Sequence, residues 1–359
     1  MALRDEKARP LLHIVGRCEA RLFGLSPAER LRRQRGPAQG PVLVAHASAV
    51  LGDAAVGWLL ENPGTMLTGP SGRPLAIAVD PEQASSAEKA LLGEPSSFAS
   101  ADPARMGEQF IRKLRRRDLL FARSIADEPA AQVERELFAN VYKGVTDLVT
   151  KWVWPVPALW ATRIAAWLGM TPNMVTGAGL VLTFVAAWLF YHGDLAAGLA
   201  AAWAMTFLDT VDGKLARVTV TSSPLGNLLD HVTDYVHPPI WWFCLAWGIA
   251  GPVGSGPVWT SCWVILGCYV AGRAIEELFK LRIGFNQYLW HRFDSGFRLI
   301  VSRRNVILLF MTAGLIAGAP AGAFLLCALW SAASVAIQAI RLGQALSAAR
   351  RGPVTSWLM

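Results

Sequence analysis

Two stretches of this chain contain no aspartate, glutamate, lysine or arginine: residues 235–272 and 305–340, which are 38 and 36 residues long. A helix that crosses the hydrocarbon core of a bilayer needs roughly 20 apolar residues. Each stretch is too long for one crossing, and each is broken by glycine and proline, at GPVGSGP (251–257) and GAPAG (318–322). Four crossings follow. A fifth reads TPNMVTGAGLVLTFVAAWLFYHG (171–193), and a sixth starts near Leu195 and must run past Asp209 to be long enough. The pattern predicts six transmembrane helices.

Charge divides the chain in two. Up to Asn140 there are 19 Lys and Arg against 17 Asp and Glu, freely mixed; beyond it there are 15 against 9, separated by the uncharged runs. The reading is a small soluble domain over 1–140 followed by a membrane domain over 141–359. Six of the net eight positive charges belong to the second part. Arginines beside apolar runs face anionic headgroups or phosphate-bearing substrates, so the basic balance does not call for nucleic acid. The five cysteines show no CxxC spacing, which speaks against a zinc site or a disulfide framework. The N-terminus, MALRDEKARPLL, lacks the apolar core of a signal peptide.

Lysine and arginine also set orientation. The connections YHGDL, GPVGSGP and GAPAG contain neither; all 15 basic residues of the second part fall on the opposite side. Both termini, the soluble domain and the aspartates described next are expected to face the cytoplasm, from the inner membrane. Between Tyr142 and Leu168, tryptophans mix with Lys143, Lys151 and Arg163, and prolines interrupt the run. That suits a helix lying in the interface plane rather than a crossing.

The sixth apolar run leads into LDTVDGKLARVTVTSSPLGNLLDHVTD (208–234), which carries Asp209, Asp212, Asp230 and Asp234. Carboxylates at membrane depth are costly and mark function. Asp209 and Asp212 are spaced i,i+3, and Asp230 and Asp234 i,i+4, so each pair shares a helix face. Ser-Ser-Pro and Gly between them mark a turn. Two antiparallel helices then gather four carboxylates, which repel unless a divalent metal is present. All-oxygen ligation favours magnesium, manganese or calcium over zinc. Gly213 and Gly226 allow close approach of a ligand, and Lys214 and Arg217 add the positive charge a diphosphate calls for.

The pattern Asp209-x-x-Asp212-Gly213-x-x-Ala216-Arg217, eight residues, then Gly226-x-x-x-Asp230-x-x-x-Asp234 resembles the signature of the CDP-alcohol phosphotransferase family, with every fixed position present. Thr171-Pro172-Asn173 and the six crossings are similar to that family as well, and the resemblance covers about 141–348. It implies transfer of a phospho-alcohol group from a CDP-alcohol, most simply CDP-diacylglycerol, to a hydroxyl acceptor with release of CMP, in phospholipid biosynthesis. It implies two Mg²⁺ or Mn²⁺ ions held by Asp209, Asp212, Asp230 and Asp234, with Asp234 as the general base. Asn173, Gly213, Ala216, Arg217 and Gly226 are implied to bind the cytidine diphosphate, and the protein to be a homodimer. A small polar donor, such as CDP-inositol, with a lipid hydroxyl as acceptor is the alternative. A transporter or a non-catalytic scaffold are more distant ones.

Arg273, Arg303 and Arg304 stand where the fourth and fifth crossings meet the cytoplasmic side, and are candidates to bind the acceptor. The wider basic cluster fits a phosphorylated acceptor, a lipid phosphate or ordinary positive-inside residues. His237 and His291 read as structural hydrogen-bonders. In the soluble part, PVLVAHASAV and RPLAIAVD read as strands around a helical DAAVGWLLENPG. This α/β domain is loosely similar to a degenerate, non-catalytic nucleotidyltransferase. Its IRKLRRR run (111–117) fits an anionic-lipid contact or a solvated helix face.

Overall fold

The computed structural model describes residues 11–36, 40–221 and 224–359, with side chains from Thr233 onward in the helix that begins at Pro224. The chain forms two compact units. One comprises Met1–Tyr142, Thr162–Gly169 and Lys214–Thr221; the other comprises Lys143–Ala161, Met170–Gly213 and Ser222–Met359.

The first unit is α/β. In chain order it holds β1 (Leu12–Val15), α1 (Pro27–Arg35), β2 (Val42–His46), β3 (Ala49–Leu51), α2 (Asp53–Glu61), β4 (Thr65–Thr68), β5 (Pro74–Val79), α3 (Ala84–Leu91), β6 (Ala99–Ala101), α4 (Pro103–Met106), β7 (Gln109–Ile111), β8 (Arg116–Asp118), β9 (Ala122–Ser124) and α5 (Ala130–Asn140). Five strands form a mixed sheet in the order β1-β2-β5-β4-β6. β1 and β2 run parallel, as do β4 and β6; β5 is antiparallel to β2 and β4. β2 and β5 are apolar at nearly every position because both faces are covered. Val42, Val44, Ile77 and Val79 pack with Ala87, Ala90 and Leu91 of α3. Leu43, Ala45, Ala76 and Ala78 pack with Leu31 of α1 and Val56 and Leu59 of α2.

The run read as one strand over 41–50 is broken at Ala47 and Ser48, and its second half, β3, pairs with β9 instead. IRKLRRR is not a helix face. It builds the β7–β8 hairpin, turned by Arg112–Leu114 and by Arg115, whose φ of 52° is left-handed. Arg30 and Arg33 of α1 donate to the carbonyls of Val218 and Thr219, acceptors that a helix end leaves without an internal partner. Burial pushes the Arg30 guanidinium down to about 10.

The remaining helices are α6 (Pro155–Trp167), α7 (Pro172–Tyr191), α8 (Leu195–Val218), α9 (Pro224–Ala250), α10 (Pro257–Ile283), α11 (Arg292–Phe297), α12 (Arg304–Ile316) and α13 (Pro320–Ala349). Among the described residues three are long and apolar enough to cross a membrane: α7, α10 and α13. They mark a membrane protein. α12 is apolar but has only 13 residues, and the Gly-Pro breaks expected from sequence separate α9 from α10 and α12 from α13.

In the second unit α10 packs along α13, α7 against α9, and α12 against α13. Their shared core holds Phe190, Trp241, Trp242, Trp259, Leu308 and Phe324. A Cβ at Gly248 of α9 would lie 1.9 Å from the Phe190 carbonyl oxygen, so only glycine allows this approach. Apolar side chains such as Phe184, Trp188 and Leu326 stay exposed, as suits a surface solvated by lipid rather than water. Trp152 and Trp160, from the stretch read as interfacial, are exposed too.

Candidate active site

The site begins at the head of α7. Thr171 caps the helix by accepting from the Met174 N–H at 3.3 Å, with Pro172 in the first turn. That capping is the local reason for the Thr-Pro-Asn triplet. Asn173 is exposed on this turn. One turn further, the Thr176 hydroxyl donates to Asp212 Oδ2 at 2.6 Å, which fixes the carboxylate of a residue that is itself buried.

Asp209, one turn earlier on α8, accepts from Arg304 Nη2 at 2.6 Å. Asp234, on α9, accepts from Nη1 of the same guanidinium at 3.1 Å. A single cation at the start of α12 thus draws together carboxylates from two helices. The His237 Nδ1 lies 2.7 Å from the Thr233 carbonyl. A carbonyl only accepts, so Nδ1 carries the proton and Nε2 is left to accept from Arg304 Nη1, 3.3 Å away. His237, one turn beyond Asp234, is therefore a structural partner of Arg304.

Gly213, Ala216 and Arg217 continue along α8, the last two partly buried. The Lys214 ammonium sits 3.0 Å from the centre of the Tyr142 ring and 3.4 Å from the Val141 carbonyl oxygen. Burial pushes the Tyr142 hydroxyl up, so it faces the lysine as a neutral ring. Gly226 and Asp230 belong to α9, but their side chains lie outside the described residues. Among the described residues no group of three or more His, Cys, Asp or Glu is arranged to hold a metal ion.

Arg273 and Arg303 meet at a carboxylate that the sequence reading passed over. Glu276, one turn after Arg273 on α10, is buried and accepts from Arg303 Nη2. Its other oxygen accepts from the Tyr288 hydroxyl at 2.8 Å and from Gln338 Nε2 at 3.3 Å. The Arg273 guanidinium lies 3.8 Å from Glu276 and rests 4.6 Å from the centre of the Tyr235 ring. Arg273, Glu276, Arg303 and Gln338, with Arg304, Ser302, Ser331 and Ser334, line a cavity of about 30 Å³, room for little more than a water.

The connection from α10 to α12 is held by contacts to two more carboxylates. Asp294 takes a two-pronged contact from Arg341 of α13, at 2.7 and 2.6 Å. His291 caps α11 in a reciprocal box with Asp294, again a structural role. Asp147 accepts from Asn305 at 2.9 Å and from Thr150. Burial alone would raise the Asp147 carboxyl; the nearby Arg298 and these hydrogen bonds outweigh it and hold it below the usual range.

Residues 169–288 match the family model described as CDP-alcohol phosphatidyltransferase. Over these residues the chain is similar to that family, whose members are transferases that move phosphate-linked groups. Archaetidylinositol phosphate synthase of Pyrococcus horikoshii is 40% identical over 73 residues, which cover 20% of this chain and 38% of that protein. Cholinephosphotransferase 1 of Gallus gallus is 31% identical over 134 residues, 34% of this chain and 39% of the relative. The chain thus spans about two-fifths of the length of these curated relatives. Mycobacterium tuberculosis phosphatidylinositol phosphate synthase, solved with CDP-DAG bound, superposes with a TM-score of 0.41 at 20% identity, covering 50% of this chain and 90% of that one. The same synthase has been solved with manganese and citrate.

Proposed function

We propose that this chain is an integral membrane enzyme that transfers a phosphatidyl group from CDP-diacylglycerol to a hydroxyl acceptor and releases CMP, in phospholipid biosynthesis. The observation that carries the reading is the convergence of Asp209 and Asp234, from two helices, on one guanidinium at 2.6 and 3.1 Å, within the motif that also holds Asp212 and Asp230. These are oxygen donors that already meet at a cation, and they fit a hard divalent ion. Asp209, Asp212, Asp230 and Asp234 would hold two Mg²⁺ or Mn²⁺ ions, which would offset charge on the diphosphate and the departing CMP.

The chain's own groups do the rest. Gly213 and Gly226 let the cytidine diphosphate approach the helix backbones, beside Asn173, Ala216 and Arg217. Asp234 takes the proton of the acceptor hydroxyl. The acceptor oxygen bonds to the β-phosphorus as the bond to the CMP oxygen breaks. Thr176 keeps Asp212 from turning away, and Arg273, Arg303 and Arg304 line the acceptor side. The reading includes six crossings and an interfacial helix within 141–359. It also includes a soluble, non-catalytic nucleotidyltransferase-like domain over 1–140, a cytoplasmic-facing site in the inner membrane, and a homodimer.

The test is CMP release by purified protein from CDP-diacylglycerol, with magnesium or manganese and a panel of alcohols. Binding of CDP without turnover across the panel would sink the enzyme reading. A second reading, transfer of a small polar phospho-alcohol to a lipid hydroxyl, draws on the relative named for choline phosphate transfer. CMP release from such a donor with diacylglycerol, and none from CDP-diacylglycerol, would favour it.

A further inference from the structure

We infer that the acceptor taken by this pocket is an uncharged polyol rather than a phosphate ester, and that Glu276 sets the choice; the inference rests on the transferase reading above. Three arginines in one cavity look like a phosphate site, but two of them already face a carboxylate. Arg303 is paired with Glu276, and Arg273 approaches the same carboxylate at 3.8 Å. Of these two arginines and Glu276 a single net positive charge remains. A phosphate monoester brings about −1.5 to −2 near neutral pH.

Glu276 lines the cavity itself and cannot swing aside cheaply. Tyr288 and Gln338 donate to one oxygen and Arg303 to the other. A phosphate would have to sit beside a fixed, buried carboxylate, or strip it of Arg303 and leave a buried charge on neutral donors alone. An uncharged polyol meets neither cost. Its hydroxyls donate as well as accept, which suits a wall that offers both. Ser302 Oγ and Ser331 Oγ lie 2.6 Å apart, and Ser334 Oγ accepts from the Ser302 N–H at 3.1 Å.

The experiment compares matched acceptors on the purified, metal-supplied enzyme with CDP-diacylglycerol: glycerol against glycerol 3-phosphate, and myo-inositol against inositol phosphate, read as CMP release. The expected result is at least a tenfold higher kcat/KM for the uncharged member of a pair. Turnover confined to the phosphorylated members overturns this inference and leaves the transferase reading standing. CMP release with neither class overturns both. Glu276→Gln is expected to reduce the discrimination at least tenfold through gained use of the phosphorylated acceptor; unchanged discrimination in a folded variant removes Glu276 from the role. Should that variant not fold, the wild-type comparison alone decides the acceptor class.

Discussion

The two units handle charge in opposite ways. In the α/β unit, most ion pairs sit towards the surface: Arg73, which holds Asp127 at 2.8 Å, leaves 45% of its side chain exposed. In the helical unit several are drawn inside and tied into networks, as with Glu276 and Arg303, at 9% and 24% side-chain exposure, or Asp294 and Arg341, at 4% and 17%. An exposed pair contributes little because water solvates each partner nearly as well. A buried pair is different: removing one partner strands the other in a low dielectric. What the contrast teaches is that the charges of the helical unit are few because each is expensive, and those buried there are held by partners.

The largest expected effect is on chemistry. Asp212→Ala is expected to lower CMP release about 10³-fold, a loss of about 4 kcal/mol in transition-state stabilisation, with melting in detergent little changed. A variant with near wild-type turnover would remove Asp212 from the machinery. Next is the buried network. Arg303→Ala should destabilise the helical unit by about 3–5 kcal/mol, read as thermal denaturation in detergent; a shift no larger than that of a surface variant would break the contrast drawn above. Gly248→Ala should cost about 1–3 kcal/mol by overpacking, since its Cβ meets the Phe190 carbonyl at 1.9 Å.

Asp147 sharpens the comparison through pH. Its carboxyl is held below the usual range in the folded state, where Arg298 and Asn305 outweigh burial. A depressed folded value means that its contribution is complete above the unfolded value of about 3.9 and is lost as pH falls through the folded value. Asp147→Asn should therefore flatten the acid limb of the stability profile below about pH 4 and leave its neutral part with a uniform deficit. The smallest effect is expected at the surface. Arg73→Ala in the α/β unit should cost no more than about 1 kcal/mol, and less in high salt, measured by denaturant titration.

Much of the helical unit was legible because its signals are local. An uncharged run broken by Gly and Pro marks helix ends within a few residues: the run read as 171–193 became a helix over Pro172–Tyr191 with Thr171 as cap. The α/β unit was harder. Its strands are short, and β1 and the β7–β8 hairpin gave no alternation long enough to read. IRKLRRR left a solvated helix face open beside an anionic-lipid contact because a run of basic residues carries no period of its own; the left-handed Arg115 turns it into a hairpin instead. At the site, His237 reads as a structural hydrogen-bonder, as found, but without a partner, and Glu276 goes unread, because a single titratable residue carries no pattern; only its neighbours in space assign it.

By itself the sequence determined which segments become apolar helices, and that Asp209 pairs with Asp212 on one face and Asp230 with Asp234 on another. Helix periodicity acts over three or four residues, and that is as far as spacing reaches. Tertiary structure alone decided that Arg304 stands between Asp209 and Asp234, that Thr176 holds Asp212, and that Glu276 is surrounded by Arg303, Tyr288 and Gln338. Those contacts join residues tens of positions apart. They exist because a buried charge must find its partner wherever the packing of helices brings one within reach.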